Sequence, residues 1–211
     1  FTFHFARTPV TDTLLSYAGL TDTKTGQVWG GVVATGGGIQ EGRGDAHSGF
    51  YALLDYASLT GRKVTSNSKV SGSMGGYWNG YHNDNGTLTV GLNMTGLHYD
   101  KNLQYFTFGQ GGYFSPDIYL LINMPVTWTS KPLQNFNYVV SGSVGTQSYQ
   151  QGATVPGSLL TAQYSNPTAS ANYSLDARGS YRITPNWYLE AFLAANNTYD
   201  YQQRTAGCSL K

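Results

Sequence analysis

Charge is what this sequence has least of. Asp, Glu, Lys and Arg make up 11% of its 211 residues, well under the roughly one quarter usual in soluble domains. A mean hydropathy of −0.31 shows that uncharged polar residues and glycine have taken the place of charge. Apolar residues have not. Long apolar runs are missing too: nothing approaches the roughly 18 consecutive residues a membrane-crossing helix needs. A single cysteine, Cys208, excludes an intrachain disulfide framework and a multi-cysteine metal site. It reads as a small apolar residue on a strand. The net charge of +1 argues against a nucleic-acid partner, which calls for a basic patch. Phe1-Thr2-Phe3-His4-Phe5 lacks the basic start and cleavage site of a signal peptide, so the chain reads as an internal fragment with its export signal upstream.

What is present is two-residue alternation, the period of a strand with unlike faces. Between 169 and 183 one face carries Ala169, Ala171, Tyr173, Leu175, Ala177, Gly179, Tyr181 and Ile183. The other carries Ser170, Asn172, Ser174, Asp176, Arg178, Ser180 and Arg182. The run exceeds the roughly 3–10 residues of ordinary strands and suits a tilted membrane-spanning strand. Further apolar faces run through Leu88–Met94, Ile118–Trp128, Phe136–Val144 and Trp187–Ala195, with weaker candidates at 1–6, 27–35, 49–59, 69–81 and 204–211. Turn chemistry at 83–86, 130–133 and 184–186 alternates with longer polar segments at 8–26, 100–116 and 150–166, the pattern of short turns at one end and long loops at the other. Because hydrocarbon tolerates no unpaired backbone, a membrane protein without spanning helices has to be a closed barrel. The expected fold is therefore all-β, a transmembrane antiparallel up-and-down β-barrel, with one domain over residues 1–211. A soluble β-sandwich also alternates, but it calls for shorter strands and polar faces richer in Lys and Glu.

Two segments carry a family resemblance. Asn102-Leu103-Gln104-Tyr105-Phe106-Thr107-Phe108-Gly109-Gln110-Gly111-Gly112-Tyr113-Phe114-Ser115-Pro116 resembles a signature of the C-terminal domain of the cellulose synthase operon protein C family. Thr11-Asp12-Thr13-Leu14-Leu15-Ser16-Tyr17-Ala18-Gly19 with Gly26-Gln27-Val28-Trp29-Gly30-Gly31-Val32 does so as well. The resemblance covers essentially the whole chain. It implies a bacterial outer-membrane barrel of sixteen strands, an even number as such barrels have, behind a periplasmic array of tetratricopeptide repeats. Its implied role is export of nascent β-1,4-glucan made by an inner-membrane cellulose synthase complex. About ten or eleven strand candidates are visible, so the chain reads as a partial barrel without the upstream strands and the repeat array. The implied partners are the glucan polymer, outer-membrane lipid, the repeat domain of the same full-length protein and, through it, the synthase complex.

For catalysis the sequence offers little, and the expectation is no enzyme, no cofactor and no metal. His4, His47, His82 and His98 lack metal-ligand spacing; His4 and His98 fall in or beside strands, the others near turns. No Gly-x-Ser-x-Gly occurs, and Gly36-Gly37-Gly38 reads as a turn between short strands. If polar faces point inward, Asp55, Lys69, Asn172, Asp176, Arg178, Arg182, Tyr188 and Glu190 line the pore, with Tyr51 and Tyr77. Mixed charges and amides suit a neutral polysaccharide that is held weakly enough to be released. The same charges could equally pair with neighbouring strands and stiffen the wall.

The aromatic-glycine segment with Tyr105, Phe106, Phe108, Tyr113 and Phe114 reads as a gate or glucan-guiding loop at the barrel mouth. The other reading has its aromatics anchored at the membrane interface. Residues 8–26, with Leu14, Leu15 and Tyr17, form a second such candidate. The functional expectation is a passive cellulose export channel. A porin-like pore for small solutes and a barrel hydrolase are the alternatives.

Overall fold

A computed structural model describes residues 1–131, 135–151, 168–198 and 201–211. In chain order the elements are β1 (Thr2–Pro9), α1 (Leu14–Tyr17), β2 (Leu20–Thr21), β3 (Val28–Gly44), β4 (Ser48–Arg62) and β5 (Val64–His82). They continue with β6 (Gly86–Tyr99), β7 (Ile118–Ser130), β8 (Phe136–Gln150), β9 (Thr168–Thr184), β10 (Trp187–Thr198) and β11 (Tyr201–Leu210). All strands belong to one 11-stranded sheet ordered β1-β3-β4-β5-β6-β7-β8-β9-β10-β11, with the two-residue β2 beside β3. Every pairing between two strands is antiparallel. Among the described residues β1 and β11 do not pair, so the sheet is an open band, consistent with part of a barrel.

Alternation produces two unlike faces. Met74, Met94 and Ile122 stand opposite one another across β5, β6 and β7, and Leu54, Leu92, Val144, Leu175 and Leu193 share their face. All of these side chains are exposed. In water each would forgo part of the roughly 1.5–3 kcal/mol that full burial of such a side chain is worth, and so large a contiguous apolar surface marks a contact with lipid or protein. At the end of the band with the short turns, the apolar face carries Phe50, Trp78, Trp128, Phe136, Tyr181 and Trp187, all near strand termini.

The turns form for local reasons. Asp45 accepts backbone hydrogen bonds from His47 (2.7 Å) and Ser48 (2.8 Å) between β3 and β4, and these donors hold its carboxyl below the usual carboxylate range. Asn83 accepts from the Asn85 and Gly86 amides at 2.9 and 3.0 Å, closing β5 onto β6. The turn expected at 130–133 and the loop at 150–166 fall partly outside the described residues.

Two expectations need correction, and two strand candidates prove longer than expected. Gly36-Gly37-Gly38 is no turn; it lies inside the 17-residue β3. There the missing side chain matters: a Cβ on Gly38 would overlap Asp55 Oδ1 from the neighbouring strand. The strand candidates at 49–59 and 69–81 are borne out, as strands of 15 and 19 residues. Their glycines and serines blurred the alternation without breaking the pairing. Finally, the long-loop end is not uniformly long: β4 passes to β5 through Lys63 alone, in the left-handed region at φ 52°.

Candidate functional site

The sheet register assembles the polar face. One row runs Tyr51, Gly75, Asn93, Asn123, Gly145 and Asn172 across β4 to β9. Asp55 and Lys69 follow the same parity, as their pairings with Ser71 and Ala57 show. Asp176 pairs with Ser141 and Arg178 with Val139 on that face, Glu190 stands opposite Ser180, and Tyr188 opposite Arg182. All eight residues named from the sequence as pore-lining therefore lie on one side of the sheet, together with Tyr51 and Tyr77.

Most of these groups already have partners. Asp55 Oδ1 lies 2.6 Å from His4 Nε2, two strands away, and reaches it over the bare backbone of Gly38. Arg178 Nε donates to Asp176 Oδ1 at 2.9 Å, Lys211 Nζ lies 2.7 Å from Glu190, and the Asn172 amide donates to the Asn197 carbonyl at 2.8 Å. Lys69 and Arg182 sit 5.9 Å over the rings of Tyr99 and Tyr188. Between these, hydroxyls pair across strands: Ser73 with Thr95 (3.1 Å), Thr127 with Ser141 (3.1 Å) and Ser143 with Ser174 (2.7 Å). Exposed pairs of this kind are worth little individually. Together they make a charge-balanced wall dense in hydrogen-bonding groups.

The buried apolar cluster sits on this polar face and not between layers. Val32, Leu59 and Tyr99 of the strands pack with Leu103 and Tyr113 of the 100–117 loop. Asn67 of β5 clasps both arms of that loop. Its amide donates to the Lys101 carbonyl (2.7 Å) and the Tyr113 hydroxyl (3.1 Å), and its carbonyl accepts from the Lys101 amide (2.9 Å). Inside the loop, Leu103 donates to Ser115 Oγ at 2.7 Å, and Gly111 and Gly112 donate to the Leu103 carbonyl. Gly112, at φ 66° against the Leu15 side chain, allows this tight return. Burial pushes the Tyr113 phenol up to about 12.

The second candidate loop docks onto the first. Thr13 caps α1 in a reciprocal box with Ser16 and donates its hydroxyl to the Gly112 carbonyl at 2.8 Å. Asp12 accepts from the Phe114 amide at 3.0 Å, while Leu15 is fully buried. The five aromatics read as one gate element thus divide. Tyr113 is buried, and Phe114 packs edge-on to Tyr119 and Tyr149. Phe108 is exposed but leans toward Trp29. Tyr105 and Phe106 are exposed at the tip. Asn67 went unnoticed in the sequence, and Asp12 and Thr13 stood there only as members of the Thr11–Gly19 segment; only the docked loops give the three a role. Among the described residues no serine hydroxyl hydrogen-bonds a histidine, and no group of three His, Cys, Asp or Glu side chains is placed to hold a metal.

An antiparallel meander with one exposed apolar face, one hydrogen-bonding face and loops folded onto the latter defines the class: a partial β-barrel. The model of the C-terminus of cellulose synthase operon protein C matches residues 1–211, and the chain belongs to that family. Its relatives include the cellulose synthase operon protein C of Xanthomonas axonopodis pv. citri (strain 306), 32% identical over 98% of this chain and 15% of the relative. That of Pseudomonas fluorescens (strain SBW25) is 33% identical over 99% and 17%, and that of Escherichia coli (strain K12) 32% identical over 95% and 19%. The chain thus spans less than a fifth of the length of these relatives.

Proposed function

We propose that this domain is part of an outer-membrane channel through which nascent β-1,4-glucan leaves the cell. The carrying observation is the polar face, a charge-balanced wall of amides, hydroxyls and exposed rings, folded over at one end by the chain's own loops. A neutral polymer of hydroxyls needs many weak contacts and no strong field, and such a wall supplies them. The opposite face, exposed and apolar with aromatics near the strand ends, suits lipid. No helix among the described residues is long and apolar enough to cross a membrane, and strands can do so when the barrel closes.

In this reading Asp55, Lys69, Asn172, Asp176, Arg178, Arg182, Tyr188 and Glu190 line the channel. The docked loops narrow its outer mouth, with Tyr105, Phe106 and Phe108 as the movable tip and Tyr113 and Phe114 as its anchor. Drive comes from polymerisation by an inner-membrane cellulose synthase complex, reached through the periplasmic repeat domain of the full-length protein.

The test uses the full-length protein in its native host. Removing residues 105–109, which spares the buried Leu103 and Tyr113, is expected to keep polymer secretion and to raise uptake of a bulky antibiotic such as vancomycin. Unchanged uptake would remove the gate. Undiminished cellulose secretion after deletion of the whole domain would remove the export role and leave a small-solute pore.

A further inference from the structure

Two charged residues interrupt the apolar face near its short-turn end. Glu41 and Arg43 lie among the last four residues of β3. The register sets Glu41 opposite Ala52, Ala52 opposite Met74 and Met74 opposite Met94, so the carboxylate shares a row with apolar side chains of that face. Arg43 folds back onto it, with Nε 3.1 Å from Glu41 Oε1. The Glu41 side chain is the more sunken of the two, 28% exposed against 73% for Arg43. Charge on a lipid-facing strand is tolerated near the headgroups and becomes costly toward the middle of the bilayer. The pair thus marks a headgroup level.

Beside the pair the surface is hollow. Ile39, Leu54, Met74 and Met94 wall an open groove of about 460 Å³, floored by Gly72 and Gly96, and Glu41 is the charged residue of its lining. Such a volume falls in the range of roughly 300–1,000 Å³ found for small-ligand sites. Packing does not dictate the floor. A Cβ on Gly72 would come no nearer than 3.4 Å to atoms beyond its chain neighbours, and one on Gly96 no nearer than 3.8 Å. On β3, by contrast, a Cβ on Gly37 would lie 2.3 Å from the His4 carbonyl oxygen. β3 needs its glycine to fit, whereas β5 and β6 have room for a side chain and leave it unfilled. From Glu41 the groove passes Ile39 and runs away from the short-turn end.

We infer that this groove seats one acyl chain of a glycerophospholipid whose headgroup carries a phosphate and a primary ammonium. Arg43 holds Glu41 through Nε, which leaves its Nη groups to donate to the phosphate. Glu41 accepts from the ammonium. Charge complementarity selects that headgroup: an anionic one offers Glu41 no cation, and a quaternary ammonium has no N–H to give. The inference rests on the reading of the apolar face as the lipid side of a membrane barrel.

The experiment first floats the full-length protein with vesicles of phosphatidylethanolamine and phosphatidylglycerol. The protein is then extracted in mild detergent and titrated with phosphatidylethanolamine, phosphatidylglycerol or phosphatidylcholine of one acyl composition, and bound lipid is counted by native mass spectrometry. One phosphatidylethanolamine is expected to be held about three- to tenfold more tightly than either other lipid. Glu41→Gln is expected to abolish that preference, and Arg43→Gln to weaken all three lipids, since each carries a phosphate. Gly72→Val with Gly96→Val fills the floor and is expected to weaken all three as well. Should the valine protein not fold, the two single variants carry the test. Equal retention of the three lipids by the unaltered protein, or a preference that survives Glu41→Gln, overturns the inference. A lipid-free dimer that the valine variant dissolves overturns it too, the groove then seating a second copy. Failure to float with vesicles would remove the membrane reading itself, whereas flotation without headgroup preference removes only the lipid site.

Discussion

The two ends of the polar face treat the same kind of residue in opposite ways. At the long-loop end Tyr99, Tyr113 and Tyr119 are buried, with the 100–117 loop and the α1 segment laid over the strands. Toward the short-turn end Tyr77 and Tyr188 are exposed on the bare wall, Tyr77 over Gly49. Burial of an aromatic here is not a matter of its strand or its alternation. It depends on whether a loop returns over it, and a turn of two or three residues cannot. One end is thereby a miniature hydrophobic core built on a hydrophilic surface, and the other stays uncovered.

Breaking the covered end should have the largest effect. Tyr113→Ala removes a fully buried ring and the hydroxyl that Asn67 holds. It is expected to weaken loop docking by about 3–5 kcal/mol, seen as faster hydrogen exchange at the Gly111 and Gly112 amides that donate to Leu103. Persistent protection there would show that the loop is held elsewhere. Asn67→Ala, which frees three hydrogen bonds of the same loop, is expected to cost about 1–3 kcal/mol in the same measurement.

The covered end should also respond to alkali. The Tyr113 phenol is raised from 10.0 to about 12 by burial, so the docked loop holds the neutral form. Docking is then constant below pH 10, where docked and undocked phenol are both protonated, and weakens as pH rises toward about 12. Tyrosinate absorbance of the unaltered protein and of Tyr113→Phe should differ by one late-titrating group.

Smaller effects test the joints. Thr13→Ala loses both the α1 cap and the bond to Gly112; about 1 kcal/mol is expected, read as protease sensitivity of the 9–28 segment. At the open end Asp176→Asn disrupts only an exposed pair with Arg178 and should shift stability by no more than about 0.5 kcal/mol. A larger shift in thermal unfolding would mean that the wall pairs stiffen the sheet more than their exposure suggests.

Strands with strong contrast, such as β9 and β7, could be read residue by residue from alternation. So could the sidedness of Asp55, Lys69, Asn172, Asp176, Arg178, Arg182, Tyr188 and Glu190, because a period of two leaves no other choice once a strand is granted. The glycine-rich β3 was harder. Gly36-Gly37-Gly38 carries no side chains to alternate, and its place in the strand comes from pairing with β1 and β4.

Local order alone therefore determined the class of this domain: low charge, no spanning helix and period-two faces leave an antiparallel sheet with one polar and one apolar side. Contacts between residues far apart in the chain decided the rest. Asn67 with Tyr113, Thr13 with Gly112 and Asp12 with Phe114 exist only because two loops separated by most of β3 to β6 return to the same end of the sheet. A strand's period is written in neighbouring residues, whereas what covers its face is set by loops whose destination no local pattern records.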